Sequence, residues 1–201
     1  MCSSPTAWPF HEEAISGRLE LKTLRVVLAV LLVALRARAQ AASPPREYRV
    51  PEHGRLALRV PDGWKDTSKA VERPPSVLLR FRPAAGDACY VQVIAVWLDP
   101  ARLAKITPGS LKANVELTAA DPLRGAVEKV ATIAEFRGAQ ALGYSYTLTD
   151  RAPPPGEYKF VTQGELLVGD LLTTFTILYR DGGLPDKTLA LAMLADATYS
   201  P

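Results

Sequence analysis

The stretch that most constrains the fold is Ala88 to Leu98, ACYVQVIAVWL. A strand points successive side chains to opposite faces, and here both sets are mostly apolar: Cys89, Val91, Val93, Ala95 and Trp97 against Tyr90, Ile94, Val96 and Leu98. A strand apolar on both faces needs cover on both sides. The run therefore predicts a central strand in a sheet.

The neighbouring runs supply the rest of that sheet. Arg55 to Val60 alternates, with Leu56, Leu58 and Val60 opposite Arg55 and Arg59, and Ser76 to Arg82 does the same with Val77, Leu79 and Phe81 opposite Leu78, Arg80 and Arg82. Both read as strands. Ala126 to Phe136, Ala139 to Leu148, Glu157 to Val168 and Leu171 to Tyr179 are four further runs rich in Val, Thr, Tyr and Phe. Gly169-Asp170 between the last two is a two-residue hairpin signal, so those strands are expected to be adjacent and antiparallel in a meander.

Two helices interrupt the strands. Thr107-Pro108-Gly109-Ser110 offers an N-cap and a proline at the first helical position, and Ser110 to Ala120 follows until Asp121-Pro122 stops it. Pro185 to Tyr199 opens with proline and Asp186 and is apolar around most of its circumference through Leu189, Leu191, Met193 and Leu194, which predicts deep packing.

Export is legible in the first 41 residues. Lys22 and Arg25 precede the apolar run Val26 to Leu35, and small residues follow at Ala37, Ala39 and Ala41, the pattern of a secretory signal peptide over 21–41 with cleavage after Ala39 or Ala41. Ten apolar residues rise only about 15 Å as a helix, half of the roughly 30 Å of a hydrocarbon core, so no membrane anchor is expected after cleavage. Residues 1–20 carry Glu12 and Glu13, which do not suit a signal's basic segment, and read as a spurious extension from an early start site. Residues 42–47 read as a linker, leaving 48–201 as a single domain.

Export and composition together exclude several classes. From Ala41 onward there are 19 basic and 18 acidic residues, so the folded part lacks the uncompensated cations that a nucleic-acid partner requires. The same part holds one cysteine, Cys89, and a lone cysteine makes no internal disulfide; the domain depends on its core.

Early in the domain the turn Leu58-Arg59-Val60-Pro61-Asp62-Gly63-Trp64 leaves the first strand, and the chain closes on LALAMLADATYS, Leu189 to Ser200. With one helix mid-chain, a four-stranded meander and a terminal apolar helix, 48–200 resembles the PsbP-like fold of thylakoid-lumen PsbP, the Ran-binding Mog protein and many bacterial exported proteins. The resemblance implies an α+β protein, a central antiparallel sheet covered by helices on both faces in an α/β/α sandwich, with Pro61, Gly63 and Trp64 as its signature turn. It also implies noncatalytic binding or assembly, though fold alone does not settle function. Trp64 itself reads as a piece of the core rather than a ligand platform, because large aromatics chiefly supply buried area.

The search for chemistry is mostly empty. His53 lies in Pro-Glu-His-Gly and reads as a surface-loop histidine; Cys89 opens the most apolar strand and reads as a small core residue; Gly143-Tyr144-Ser145-Tyr146 is not G-x-S-x-G. Asp181 with Asp186, and Asp62 with Asp66, flank glycine turns but offer too few oxygens for a hard cation. No catalytic, cofactor or metal residue is expected. Two constellations remain. If Arg55 to Val60 pairs with Ser76 to Arg82, then Arg55, Arg59, Arg80 and Arg82 share one face as an anionic-ligand patch, against the plainer reading of a solvated face balanced by Glu47, Glu52 and Asp62. Trp97, Tyr144 and Phe160 are candidates to line an aromatic pocket between sheet and helix. The expected function is an exported module, periplasmic or secreted, that binds a protein of the cell envelope without catalysis; the alternative is a small-ligand or lipid-binding protein using that pocket.

Overall fold

The computed structural model describes residues 44–201, and the expected extension, signal peptide and start of the linker lie outside the described residues. Ten strands form: β1 (Arg46–Arg49), β2 (Arg55–Leu58), β3 (Trp64–Val71), β4 (Ser76–Pro83), β5 (Cys89–Trp97), β6 (Ala134–Arg137), β7 (Ala141–Thr149), β8 (Phe160–Val168), β9 (Leu171–Tyr179) and β10 (Thr198–Ser200). Among the described residues three α-helices accompany them: α1 (Pro100–Leu103), α2 (Pro108–Ala119) and α3 (Leu184–Ala195).

The strands divide into two antiparallel sheets, a seven-stranded one in the order β3-β4-β5-β9-β8-β7-β6 and a three-stranded one in the order β1-β2-β10. The doubly apolar run is β5, held between β4 and β9 in the interior of the large sheet. The four-stranded meander is present as β6 to β9, and the Gly169-Asp170 hairpin sets Val168 opposite Leu171. Antiparallel sheets with helices packed on them make this an α+β protein, and the expected order of strand, signature turn, helix, meander and terminal helix is retained.

Directly opposed residues in an antiparallel pair share a face, so the register sorts the core. On one face of the large sheet, Tyr144, Tyr146 and Leu148 of β7 pack with Leu111, Val115 and Ala119 of α2. The other alternation set, including Leu79, Phe81, Val91, Val93, Leu166 and Ile177, packs in one cluster with Ala190, Met193 and Leu194 of α3 and with Tyr48, Leu56 and Leu58 of the small sheet. Thr107 caps α2 through its hydroxyl, which accepts from Ser110 N at 3.1 Å, while Ser110 Oγ accepts from Thr107 N at 2.8 Å.

Several expectations need correction. β1 takes up residues assigned to the linker, because Tyr48 buries its ring while Arg46, Glu47 and Arg49 stay out. β3 was absent from the expected strands: of WKDTSKAV only Trp64 is buried, as suits the edge of a sheet. Of the run Ala126 to Phe136 only the last three residues are in a strand, β6, which continues to Arg137. Helix α3 stops at Ala195, after which Thr198–Ser200 pairs with β2, and its outer side leaves Leu189 46% exposed, so it buries a stripe rather than most of its circumference. The signature turn begins at Pro61: Trp64 N donates to Pro61 O at 3.1 Å, which puts Gly63, at φ 73°, third in the turn, where a positive φ is required.

Candidate docking face

Helix α2 covers only part of its face of the large sheet: it packs on β7 and β8. On that side of β3 and β4, Lys65, Thr67, Lys69, Arg80 and Arg82 stay exposed. Three rows of side chains cross the open part. Lys65, Arg82 and Tyr90 form the first; Thr67, Arg80, Gln92 and Thr176 the second; Lys69, Leu78, Ile94 and Thr174 the third. The residues of β5 and β9 in these rows are half-buried, as is Leu78, whereas Lys65, Lys69, Arg80 and Arg82 are exposed.

At one end the floor deepens into a cleft of about 560 Å³ lined by Lys65, Thr67, Arg80, Arg82, Tyr90 and Asp87. The Arg82 guanidinium lies 4.9 Å from the centre of the Tyr90 ring. Stacking of that kind keeps the cation in place without neutralising it. None of Lys65, Lys69, Arg80 and Arg82 has an ion-pair partner among the described residues. Asp66 also borders the cleft, but it points to the other face, where Arg46 pairs with it and Tyr48 Oη donates to it at 2.9 Å. Burial and that carboxylate raise the Tyr48 phenol above its ordinary pKa.

At the other end, beside α2, lies a groove of about 220 Å³ lined by Thr118, Gln163, Glu165, Thr174 and Thr176. Glu165 is 7% exposed, and Asn114 Nδ2 donates to its Oε1 at 2.6 Å.

The expected four-arginine patch does not form. Arg80 and Arg82 do share a face, as their alternation predicts, but β2 pairs with β1 and β10 instead of β4. Arg55 is therefore on the small sheet, paired with Glu47 at 2.6 Å, and exposed Arg59 lies just past the end of β2. Lys65 and Lys69 take their places, from a strand whose polar sequence gave it no signal.

The aromatic pocket does not form either. Tyr144 lies under α2 and donates to Glu135 at 2.9 Å, whereas Trp97 and Phe160 pack against the cluster on the opposite face. Those two sit toward opposite ends of the strands, since β5 runs from Cys89, level with Phe160 across Tyr179, to Trp97, about 27 Å away at ~3.4 Å per residue. Each has its own cover: His53 stacks on Trp97 at 3.6 Å and 6°, and Tyr179 on Phe160 at 4.9 Å and 19°. His53, expected to be a surface-loop residue, is half-buried by that stack.

Cys89 is fully buried, and desolvation, with Asp186 adding to it, pushes its thiol up to about 12. The thiolate is the reactive form. Cys89 is therefore expected to resist iodoacetamide at pH 8 for as long as the protein stays folded and to be labelled fully in urea; labelling of Cys89 in the native protein at the rate of a free thiol would show that the strand end opens.

No family model matches the chain, and no curated protein matches it. Among solved structures it is similar to cyanobacterial PsbP from Synechocystis, determined in solution, at 15% sequence identity over 81% of this chain and 96% of that one, with a TM-score of 0.48.

Proposed function

We propose that the chain is an exported, noncatalytic α/β/α module of the cell envelope, periplasmic or secreted, that docks a partner protein on the open part of the α2 face. The signal-peptide pattern supports the address. The observation that carries the docking reading is the combination of an uncovered, half-buried sheet floor with four cations, Lys65, Lys69, Arg80 and Arg82, that no carboxylate of the described residues pairs. Sheets bury a face by packing a second layer on it, and α2 supplies only part of that layer. Unpaired guanidinium groups grip carboxylates bidentately, so the partner segment is acidic where it meets them.

A photo-crosslinking residue at Thr176, in the floor, tests this against one at Lys105, an exposed turn position outside the strands. Crosslinking in the host envelope is expected at Thr176, lost in Arg80→Glu/Arg82→Glu and kept in Arg55→Glu/Arg59→Glu. Equal crosslinking at both positions, or indifference to the Arg80 and Arg82 reversals, would refute docking on this face. A second reading, a small anionic ligand held by Lys65, Arg80 and Arg82, is favoured by the cleft of about 560 Å³, which lies within the usual range for ligand pockets. Native mass spectrometry of protein from its own host would then show a retained small molecule.

A further inference from the structure

We propose that the groove beside Glu165 is a socket for a primary ammonium, and that its occupant is a lysine of the docked partner; the identity of the occupant rests on the docking reading above. Glu165 projects from the interior strand β8 and is 7% exposed. A glutamate so largely buried is expected to have partners for its carboxylate. Asn114 supplies one neutral hydrogen bond at 2.6 Å, and no cation among the described residues pairs with it. Lys112, on the same helix as Asn114, is turned outward to Glu116, 3.7 Å away.

The other walls are rich in acceptors. Thr118 comes from α2, Gln163 from β8, and Thr174 and Thr176 from β9. The Gln163 amide is already oriented, accepting from Tyr146 Oη and donating to Thr176 Oγ1 at 3.3 Å. An ammonium brings three N–H donors and no acceptor, which matches one carboxylate surrounded by hydroxyls and an amide oxygen. A guanidinium is a wider planar fork that spreads five donors in one plane, and it suits a groove of about 220 Å³ with one carboxylate less well than a compact ammonium on a slender methylene stem.

The socket opens onto the same floor as the cations, since Thr174 and Thr176 stand next to Ile94 and Gln92. From Arg80 to Glu165 is three strand spacings and one two-residue step, about 16 Å at ~4.8 Å between strands and ~3.3 Å per residue. A segment laid across the floor with its carboxylates over Arg80 therefore meets Glu165 with a lysine about 16 Å further on.

Titration of the full, ¹⁵N-labelled chain with n-butylammonium tests the socket without the partner. Saturable shifts are expected at the Asn114 side-chain amide and at the Thr174 and Thr176 amides, with a Kd on the order of 10 mM, and none with n-butanol. n-Propylguanidinium is expected to bind more weakly. Glu165→Gln should weaken butylammonium about tenfold, the loss of an ionic hydrogen bond, with its melting temperature showing that the fold is kept. Should that variant not fold, Thr174→Val removes one acceptor with little change of shape and is expected to weaken binding about threefold. Absent or unsaturable shifts, or the same affinity in Glu165→Gln, overturn the socket even where crosslinking at Thr176 persists. Glu165-dependent shifts with crosslinking absent uphold the ammonium socket and refute the partner's lysine as its occupant.

Discussion

Replacing Trp64 with alanine is expected to cost about 3 to 5 kcal/mol of stability. The indole opens β3, is 6% exposed, and belongs to the cluster that holds Tyr48, Val60 and Phe81. Its backbone is held on both sides, since Trp64 N donates to Pro61 O and the Arg46 guanidinium donates to Trp64 O at 3.3 and 3.4 Å, and the preceding carbonyl, Gly63 O, accepts from Ala84 N at 2.7 Å. The side chain has little freedom to swing out, so truncation leaves a cavity rather than a repacked edge. In a urea titration the midpoint should fall with the slope unchanged, and the melting temperature should drop by roughly 6 to 20 °C. Arg80 and Arg82 are on the opposite face of the sheet from this indole, so docking by the folded fraction should survive. Intact stability with docking lost would instead make Trp64 a ligand platform.

Trp64 also marks the boundary between what the residues announce and what they conceal. Strands with one apolar and one polar set, or apolar on both, were found almost to their ends: β4, β5, β8 and β9 all fall within the expected runs or one residue beyond. The missed strands share a cause. β1 buries only Tyr48, β3 only Trp64, and β10 has three residues, so none has enough apolar positions to set a period. Two of these make the small sheet, in which residues from both ends of the domain meet on β2. Pairing between positions so distant leaves no local trace.

The candidate site follows the same division. Alternation placed Arg80 and Arg82 on one face, because parity is a local property. It could not say that their neighbour across the sheet edge is β3 and not β2, and so it joined Arg55 and Arg59 to them in place of Lys65 and Lys69. The aromatic pocket failed for the same reason, since nothing in the residue types reveals which faces of separate strands look the same way. Glu165 did carry a signal. In Gly164-Glu165-Leu166-Leu167-Val168 a carboxylate interrupts an apolar run that the flanking turns mark as a strand, and a charge at such a position is either paired or waiting for a partner.

The residue before it carries the other large expected effect: Gly164→Val should destabilise the protein by about 3 kcal/mol or more. Gly164 stands between Ser145 of β7 and Phe175 of β9. A β-carbon there would overlap the Tyr144 carbonyl oxygen and approach Phe175 Cζ to 2.7 Å and Ser145 Cβ to 2.8 Å. Gly143, on the neighbouring strand, gives the same clearance to Phe136, whose ring meets Phe175 edge-to-face at 5.8 Å. The two glycines thus make room for an aromatic pair on the sheet, and a branched side chain would displace both a ring and a backbone. Pairing Gly164→Ala with Phe175→Leu separates the two in a double-mutant cycle. Rescue by the smaller side chain would put the strain in Phe175; no rescue would put it in the Tyr144 carbonyl. A loss below about 1 kcal/mol for Gly164→Val would mean that the strand simply shifts. In that event Glu165, its immediate neighbour, should move away from Asn114 and the groove should lose butylammonium affinity even though the fold holds, which couples the packing of one face to recognition on the other.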